Sequence, residues 1–167
     1  MAVELVVVGE SDKPVLVNLM QFYLHDFSEI REAELTPHGT FVYNYLDYYF
    51  TETTREAYFI RADGHLAGFA LARGDVDDDG SWNVAEFFVV RRHRGRGVAR
   101  EAARLLFARH PGEWTLSVDH NNERAGSFWR SVVNEVAVGA VAEVDGHLPS
   151  EPVAVTRLRF RVADGDG

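Results

Sequence analysis

Apolar positions along this chain switch between two periods, and the switches mark its elements. "AVELVVVG" at the start is a short β-rich run and predicts a first strand. In "SDKPVLVNLMQFYLHDFSEI" Leu16, Leu19, Met20, Tyr23, Leu24 and Phe27 recur at helical spacing, with Ser11 or Asp12 placed to cap and Pro14 tolerated in the first turn. "TFVYNYLDYYF", after a break at residues 37–39, predicts a second, aromatic-rich helix. "AYFIRADGHLAGFALARG" is a hairpin signal, two β-rich runs about an Asp63-Gly64 tight turn. After the acidic turn "DVDDDG", "SWNVAEFFVV" predicts a long strand, and "VAREAARLLFARH" a helix with Val98, Ala102, Leu105 and Leu106 on one face, ended by Pro111-Gly112. "WTLSV" predicts a strand and "NNERAGSFWRSVVNEV" an Asn-capped helix. "VAVGAVAEV" and "EPVAVTRLRFRV" predict two closing strands joined by "DGHLPS".

The predicted order β-α-α-β-β-β-α-β-α-β-β implies an α/β (α+β) fold with a mixed, mostly antiparallel sheet flanked by helices. The chain has 167 residues, which suits one domain, read as residues 1–162 with 163–167 as a frayed tail. No apolar run approaches the ~20 residues that span a bilayer, and no secretory signal pattern opens the sequence, so a cytoplasmic protein without a membrane partner is expected. With no cysteine, a disulfide framework, a thiolate metal site and a cysteine nucleophile are excluded. No His/Asp/Glu cluster has metal-ligand spacing, so no metal is expected.

Charge makes one stretch conspicuous. The net charge is −9, yet "RRHRGRGVAR", residues 91–100, is half arginine. The acidic balance argues against nucleic acid as a partner, since that needs a broad basic field. The stretch joins a strand to a helix, and Gly95 and Gly97 permit positive φ and close backbone approach there. The first turn of the helix offers unpaired N–H groups and a partial positive charge, a fit for a pyrophosphate, with Arg94 and Arg96 as rim countercharge. The alternative is a tight turn in a solvated basic loop. "GRGVAR" lacks the third glycine of a dinucleotide fingerprint, and no Gly-Lys-Ser/Thr of a P-loop is present.

Arg94-Gly95-Arg96-Gly97-Val98-Ala99 has the form Arg/Gln-x-x-Gly-x-Gly/Ala, and Asn122-x-x-Ala125-x-x-Phe128-Trp129 follows a short strand farther on. Together these resemble the coenzyme A loop and the Asn-x-x-Ala-x-x-Leu/Phe-Tyr pattern of the GNAT superfamily of N-acetyltransferases. The element order agrees over nearly the whole chain; "FW" in place of "LY" is similar to a less-studied branch.

The resemblance implies a GNAT-like sheet splayed between its fourth and fifth strands. It implies acetyl-CoA as co-substrate and an amine of a small molecule or peptide as acceptor, with transfer in a ternary complex. Phe87, Phe88 and Val89 would pair with the pantetheine arm through their backbone. Gly95 through Arg100, with Arg94 at the rim, would cradle the pyrophosphate, and Asn122 would bond the arm. Glu86, the lone acid in "VAEFFVV", resembles the base that some members place on the fourth strand; strand alternation could equally aim it outward. Trp129 stands where many members carry a tyrosine general acid, and an indole cannot supply a proton; packing on the cofactor, lining the acceptor pocket and core packing stay open. His120 is read as touching the acceptor or cofactor, or as a cap or surface residue, His93 as solvated, and the aromatics of residues 22–50 as core with some facing acceptor. Family members often form homodimers. A catalytically idle acyl-CoA-binding module is the alternative function.

Overall fold

The computed structural model describes residues 1–148 and 153–165. Seven strands form a sheet in the order β1-β2-β3-β4-β5-β7-β6. They are β1 (Val3–Val7), β2 (Arg55–Ala62), β3 (His65–Gly74), β4 (Trp82–Val89), β5 (Gly112–Asp119), β6 (Ala142–His147) and β7 (Ala154–Val162). The helices are α1 (Lys13–Arg31), α2 (Tyr48–Thr51), α3 (Val98–Arg109) and α4 (Glu123–Val136). By its internal packing the chain divides into two compact units, Met1–Ala72 with Glu86–Ala99, and Arg73–Ala85 with Arg100–Gly167.

In the first unit β1 runs antiparallel to β2, with Val3 opposite Ala62 and Val7 opposite Tyr58. The β2–β3 turn holds Asp63 at φ 51° and Gly64 at φ 81°, the two positive values a type I′ turn requires. The apolar stripe of α1 buries Leu16, Leu19, Met20 and Tyr23, and Tyr23 packs against Phe69 of β3 and Phe88 of β4. Asp12 precedes α1 without a side-chain cap bond; Pro14 occupies its first turn. β3 and β4 approach closely because Gly68 has no side chain: a methyl there would lie 1.9 Å from the Phe88 carbonyl oxygen.

The predicted helix over "TFVYNYLDYYF" shrinks to the single turn of α2. The carboxamide of Gln21 on α1 both donates to the Phe41 carbonyl (2.9 Å) and accepts from the Phe41 N–H (2.8 Å). Those backbone groups therefore serve α1 rather than a helix of their own.

In the second unit β5 and β7 are antiparallel, from Gly112 opposite Val162 to Asp119 opposite Val155. The β4–β5 ladder is parallel and pairs Trp82 with Trp114 and Asn83 with Thr115, while β4 runs on to Val89 and β5 to Asp119. The Asn83 amide reinforces it by donating to the Thr115 carbonyl (3.1 Å) and hydroxyl (3.0 Å). Phe107 of α3 forms the centre of an aromatic core, meeting Trp114 (5.0 Å), Phe160 (5.2 Å) and Trp129 of α4 (6.3 Å) edge to face.

One expectation is corrected here. The sixth strand starts later than "VAVGAVAEV": Gly139 at φ 82° interrupts that run, and β6 keeps its last three residues and continues through Asp145 and Gly146, paired with Thr156 and Val155. The acidic "DVDDDG" turn is held in place by β7. Asp77 pairs with Arg157 (2.6 Å) and Asp79 with Arg159 (2.9 Å), fixing the turn to β7. Residues 163–165 have no regular structure, and the rest of the predicted tail, like residues 149–152 of the predicted connection, lies outside the described residues.

Candidate active site

The first unit holds residues 86–89 and 94–99; the second holds Arg100, Asn122 and Trp129. Each group takes its geometry from its own unit.

Glu86 is half-buried on β4 and its Oε2 accepts a hydrogen bond from the Tyr23 phenol. Strand alternation alone left its direction open; the Tyr23 contact shows it turned toward α1. Tyr23 is buried, its ring held by Phe27 (4.7 Å), Phe69 (5.6 Å) and Phe88 (5.9 Å). Burial pushes the Tyr23 phenol well above its ordinary pKa, and the adjacent Glu86 charge and hydrogen bond push it the same way. Tyr43 is raised too, by burial first and then by Glu86 and Tyr49. Both phenols therefore stay protonated at neutral pH and act toward Glu86 as dipoles and donors, not as competing anions. Tyr43 also lines a recess of about 230 Å³ with Lys13, Met20, Gln21, Phe41 and Asp47.

Phe88 and Val89 are buried and Phe87 half-buried. Beyond β4, Arg91–His93 form a 3₁₀ turn, and Gly95 and Gly97 follow at φ 72° and 82°. These are left-handed values that L side chains adopt at a cost, so the turn into α3 uses both glycines. A methyl at Gly95 would meet nothing within 4 Å, and one at Gly97 would touch only the Met1 Cε, at 4.0 Å. The loop backbone thus has open space over it at the start of a three-turn helix, the setting in which first-turn N–H groups receive an anion.

The arginines are less available than their number suggests. Arg94 donates from Nε to the Val89 carbonyl (2.7 Å) and from its terminal nitrogen to Asp26 (2.6 Å), with its guanidinium 5.5 Å from the Phe88 ring centroid. Arg91 also reaches Asp26 (3.2 Å). Arg94 therefore ties the loop to β4 and α1. Arg96 is exposed. His93, expected to be solvated, is buried, and its Nδ1 has no hydrogen-bond partner among the described residues. Burial, then Arg96 and Arg92, hold its imidazole below the ordinary 6.5.

In the second unit Arg100 is paired with Glu135 and donates to Ser131 (3.0 Å), so its side chain is turned to α4. Asn122 caps α4: its Oδ1 accepts from the Ala125 N–H at 3.2 Å. Trp129 is buried against Phe107 and Phe128. His120 Nε2 lies 2.8 Å from the Thr156 hydroxyl, which donates to Asp145 (2.7 Å), at the edge of a polar recess of about 680 Å³. Among the described residues no group of three or more His, Asp or Glu side chains is placed to hold a metal ion, and no helix is long and apolar enough to cross a membrane.

Sequence reasoning missed Tyr23 as the partner of Glu86. Its helical spacing marked it as an α1 core residue, but nothing in the pattern pointed to β4.

The fold is shared widely. An acetyltransferase from Thermus thermophilus matches at a TM-score of 0.71 and 16% identity, over 97% of this chain and 98% of that one. Spermidine N-acetyltransferase from Vibrio cholerae in complex with CoA and spermine matches at 0.63 and 15%, over 96% and 95%. The ribosomal-protein-S18-alanine N-acetyltransferase from Escherichia coli matches at 0.61 and 12%, over 99% and 97%. No curated protein matches by sequence. The model of the acetyltransferase (GNAT) family, however, matches residues 16–132, a span that runs from α1 through Glu86, the glycine turn and Asn122 into α4. The chain belongs to the acetyltransferase (GNAT) family.

Proposed function

We propose that this protein moves an acetyl group from acetyl-CoA to a primary amine of a small molecule or peptide, directly within a ternary complex. The observation that carries the reading is the pair of positive-φ glycines, Gly95 and Gly97, with open space above them at the start of α3. That turn suits a pyrophosphate better than a side chain would allow. In the proposal the amides of Gly95 through Arg100 hold the pyrophosphate. The backbone of Phe87, Phe88 and Val89 holds the pantetheine, and Arg94 acts by fixing the Val89 carbonyl and the loop, with Arg96 as countercharge. Asn122 and Trp129 are assigned to the cofactor arm as an extension of the same reading; their capping and packing roles are compatible with it.

Acetyl-CoA supplies the acyl group as an activated thioester. An alkyl amine with a pKa near ~10.4 is almost wholly protonated at pH 7, so a base is needed before its nitrogen can attack. Glu86 is assigned that role, taking the amine proton directly or through a water as the C–N bond forms and the C–S bond breaks. The thiolate proton comes from solvent, since Trp129 has no acidic proton to give. The structures of amine acetyltransferases among the similar folds support an amine as the acceptor class.

The test is release of free CoA thiol from acetyl-CoA against a panel of amines, with wild type and Glu86→Gln. Turnover with at least one amine, lowered ~10²–10⁴-fold in Glu86→Gln, is expected. A second reading, an idle acyl-CoA-binding module, draws on the buried Trp129 at the tyrosine position. CoA binding without transfer to any amine would establish it.

A further inference from the structure

We infer that Tyr23 is the positioning residue for Glu86: its phenol, donating to Oε2, fixes the carboxylate in the orientation and ionised form from which it takes the acceptor's proton. The inference rests on the reading of Glu86 as base.

The geometry begins with burial. Tyr23 is 9% exposed, and three aromatic rings from α1, β3 and β4 pack around it, so its ring has one place to stand. A phenol hydroxyl inside such a shell costs free energy unless it is hydrogen-bonded. Its partner is a carboxylate 63 positions away, and a bond to an ionised acceptor is the stronger kind. Glu86 is half-buried on β4, and taking a carboxylate partly out of water by itself favours the neutral acid. The Tyr23 donor works against that push, because a hydrogen bond to the charged form favours it. The phenol stays a donor at every working pH, since its own pKa is pushed upward.

Other groups shape the same titration. Tyr43 feels the Glu86 charge but makes its hydrogen bond with Tyr49, so it acts at longer range. Arg31 acts on Tyr23, and Arg55 on Tyr43, each in the opposite direction to burial. Tyr23 is in direct hydrogen-bond contact with Glu86.

Tyr23→Phe keeps the ring and removes only the donor. Expected is a shift of the acidic limb of kcat/KM up by about one to two pH units, the size of one hydrogen bond to a charged group. Well below the wild-type limb activity then falls ~10–100-fold, and it recovers at alkaline pH, where Glu86 is ionised without help. In Glu86→Gln the same change at position 23 has no further effect. A lost packing role would lower activity evenly across pH and add to Glu86→Gln; either result overturns the inference while leaving Glu86 as base. Full activity in Glu86→Gln overturns both. A readout without turnover is the Glu86 carboxyl titration, followed by carbon-13 NMR in wild type and Tyr23→Phe. An unshifted titration rejects the role of Tyr23. If Tyr23→Phe fails to fold, the hydroxyl proton of Tyr23 carries the test in wild type: a downfield signal lost on acid titration of Glu86 supports the bond, and its absence at neutral pH rejects it.

Discussion

Adding one methyl group at Gly68 should damage both the fold and the site of this acetyltransferase. A Cβ there would stand 1.9 Å from the Phe88 carbonyl oxygen and 2.9 Å from both the Phe88 carbonyl carbon and the Val89 Cα. All three are backbone atoms of β4, so no rotamer change relieves the overlap. The nearest contact is about 1.5 Å inside ordinary van der Waals distance, and one strand must retreat by roughly that much. The retreat strains the adjacent bond from the Val90 N–H to the Ala67 carbonyl, now 2.8 Å. It also draws Glu86 away from Tyr23. Overpacking costs about 1–3 kcal/mol and a lost backbone hydrogen bond about 1 more. For a chain of this size each kcal/mol lowers the melting temperature by about 2–4 °C. Gly68→Ala should therefore melt about 4–15 °C below wild type, with acetyl-CoA turnover reduced beyond what the unfolded fraction explains. Differential scanning calorimetry and a thiol-release assay below the transition measure the two effects. A melting temperature within about 2 °C of wild type and unchanged turnover would refute the close-approach argument.

Three further outcomes are expected. Gly97→Glu puts a strained φ and an anion at the proposed pyrophosphate site; CoA should no longer raise the melting temperature, whereas an undiminished CoA shift would remove the loop assignment. Asn122→Ala should cost about 1 kcal/mol through loss of the α4 cap, and Asn122→Ser should restore that stability but not CoA affinity; recovery of both by serine would leave Asn122 with the cap alone. The His93 imidazole is held below its ordinary pKa in the fold, by burial first, and titrates near ~6.5 when unfolded, so above that pH its contribution is intact. As pH falls below ~6.5 the unfolded chain takes the proton first, and stability declines until the folded imidazole is protonated too. Melting temperature between about pH 6.5 and 5 should fall more steeply in wild type than in His93→Gln, and equal slopes would contradict a lowered His93 pKa in the fold.

What the sequence by itself determined is what neighbouring residues decide together. Asp63-Gly64 makes a turn because only such residues tolerate two successive positive φ values, and Asn122 starts α4 because its side chain reaches an N–H three residues on. Gly95 and Gly97 marked the loop for the same local reason. The apolar stripe of α1 predicted its buried face, since helical spacing is a property of the segment alone.

Tertiary structure decided the rest. Aromatic residues have modest helix propensity, and in "TFVYNYLDYYF" the Gln21 side chain settled the outcome by taking both backbone groups of Phe41. β6 is exposed along its whole length, so the apolar pattern reached only its first three residues; pairing with β7 placed Asp145 and Gly146 in the strand. The arginines looked like free countercharge until Asp26, Glu135 and the Val89 carbonyl were found to hold Arg91, Arg94 and Arg100. Above all, Tyr23 meets Glu86 across 63 residues of chain. A helix pattern fixes which face is apolar, and a strand pattern fixes which residues alternate, but only packing α1 on β3 and β4 decides which phenol meets which carboxylate.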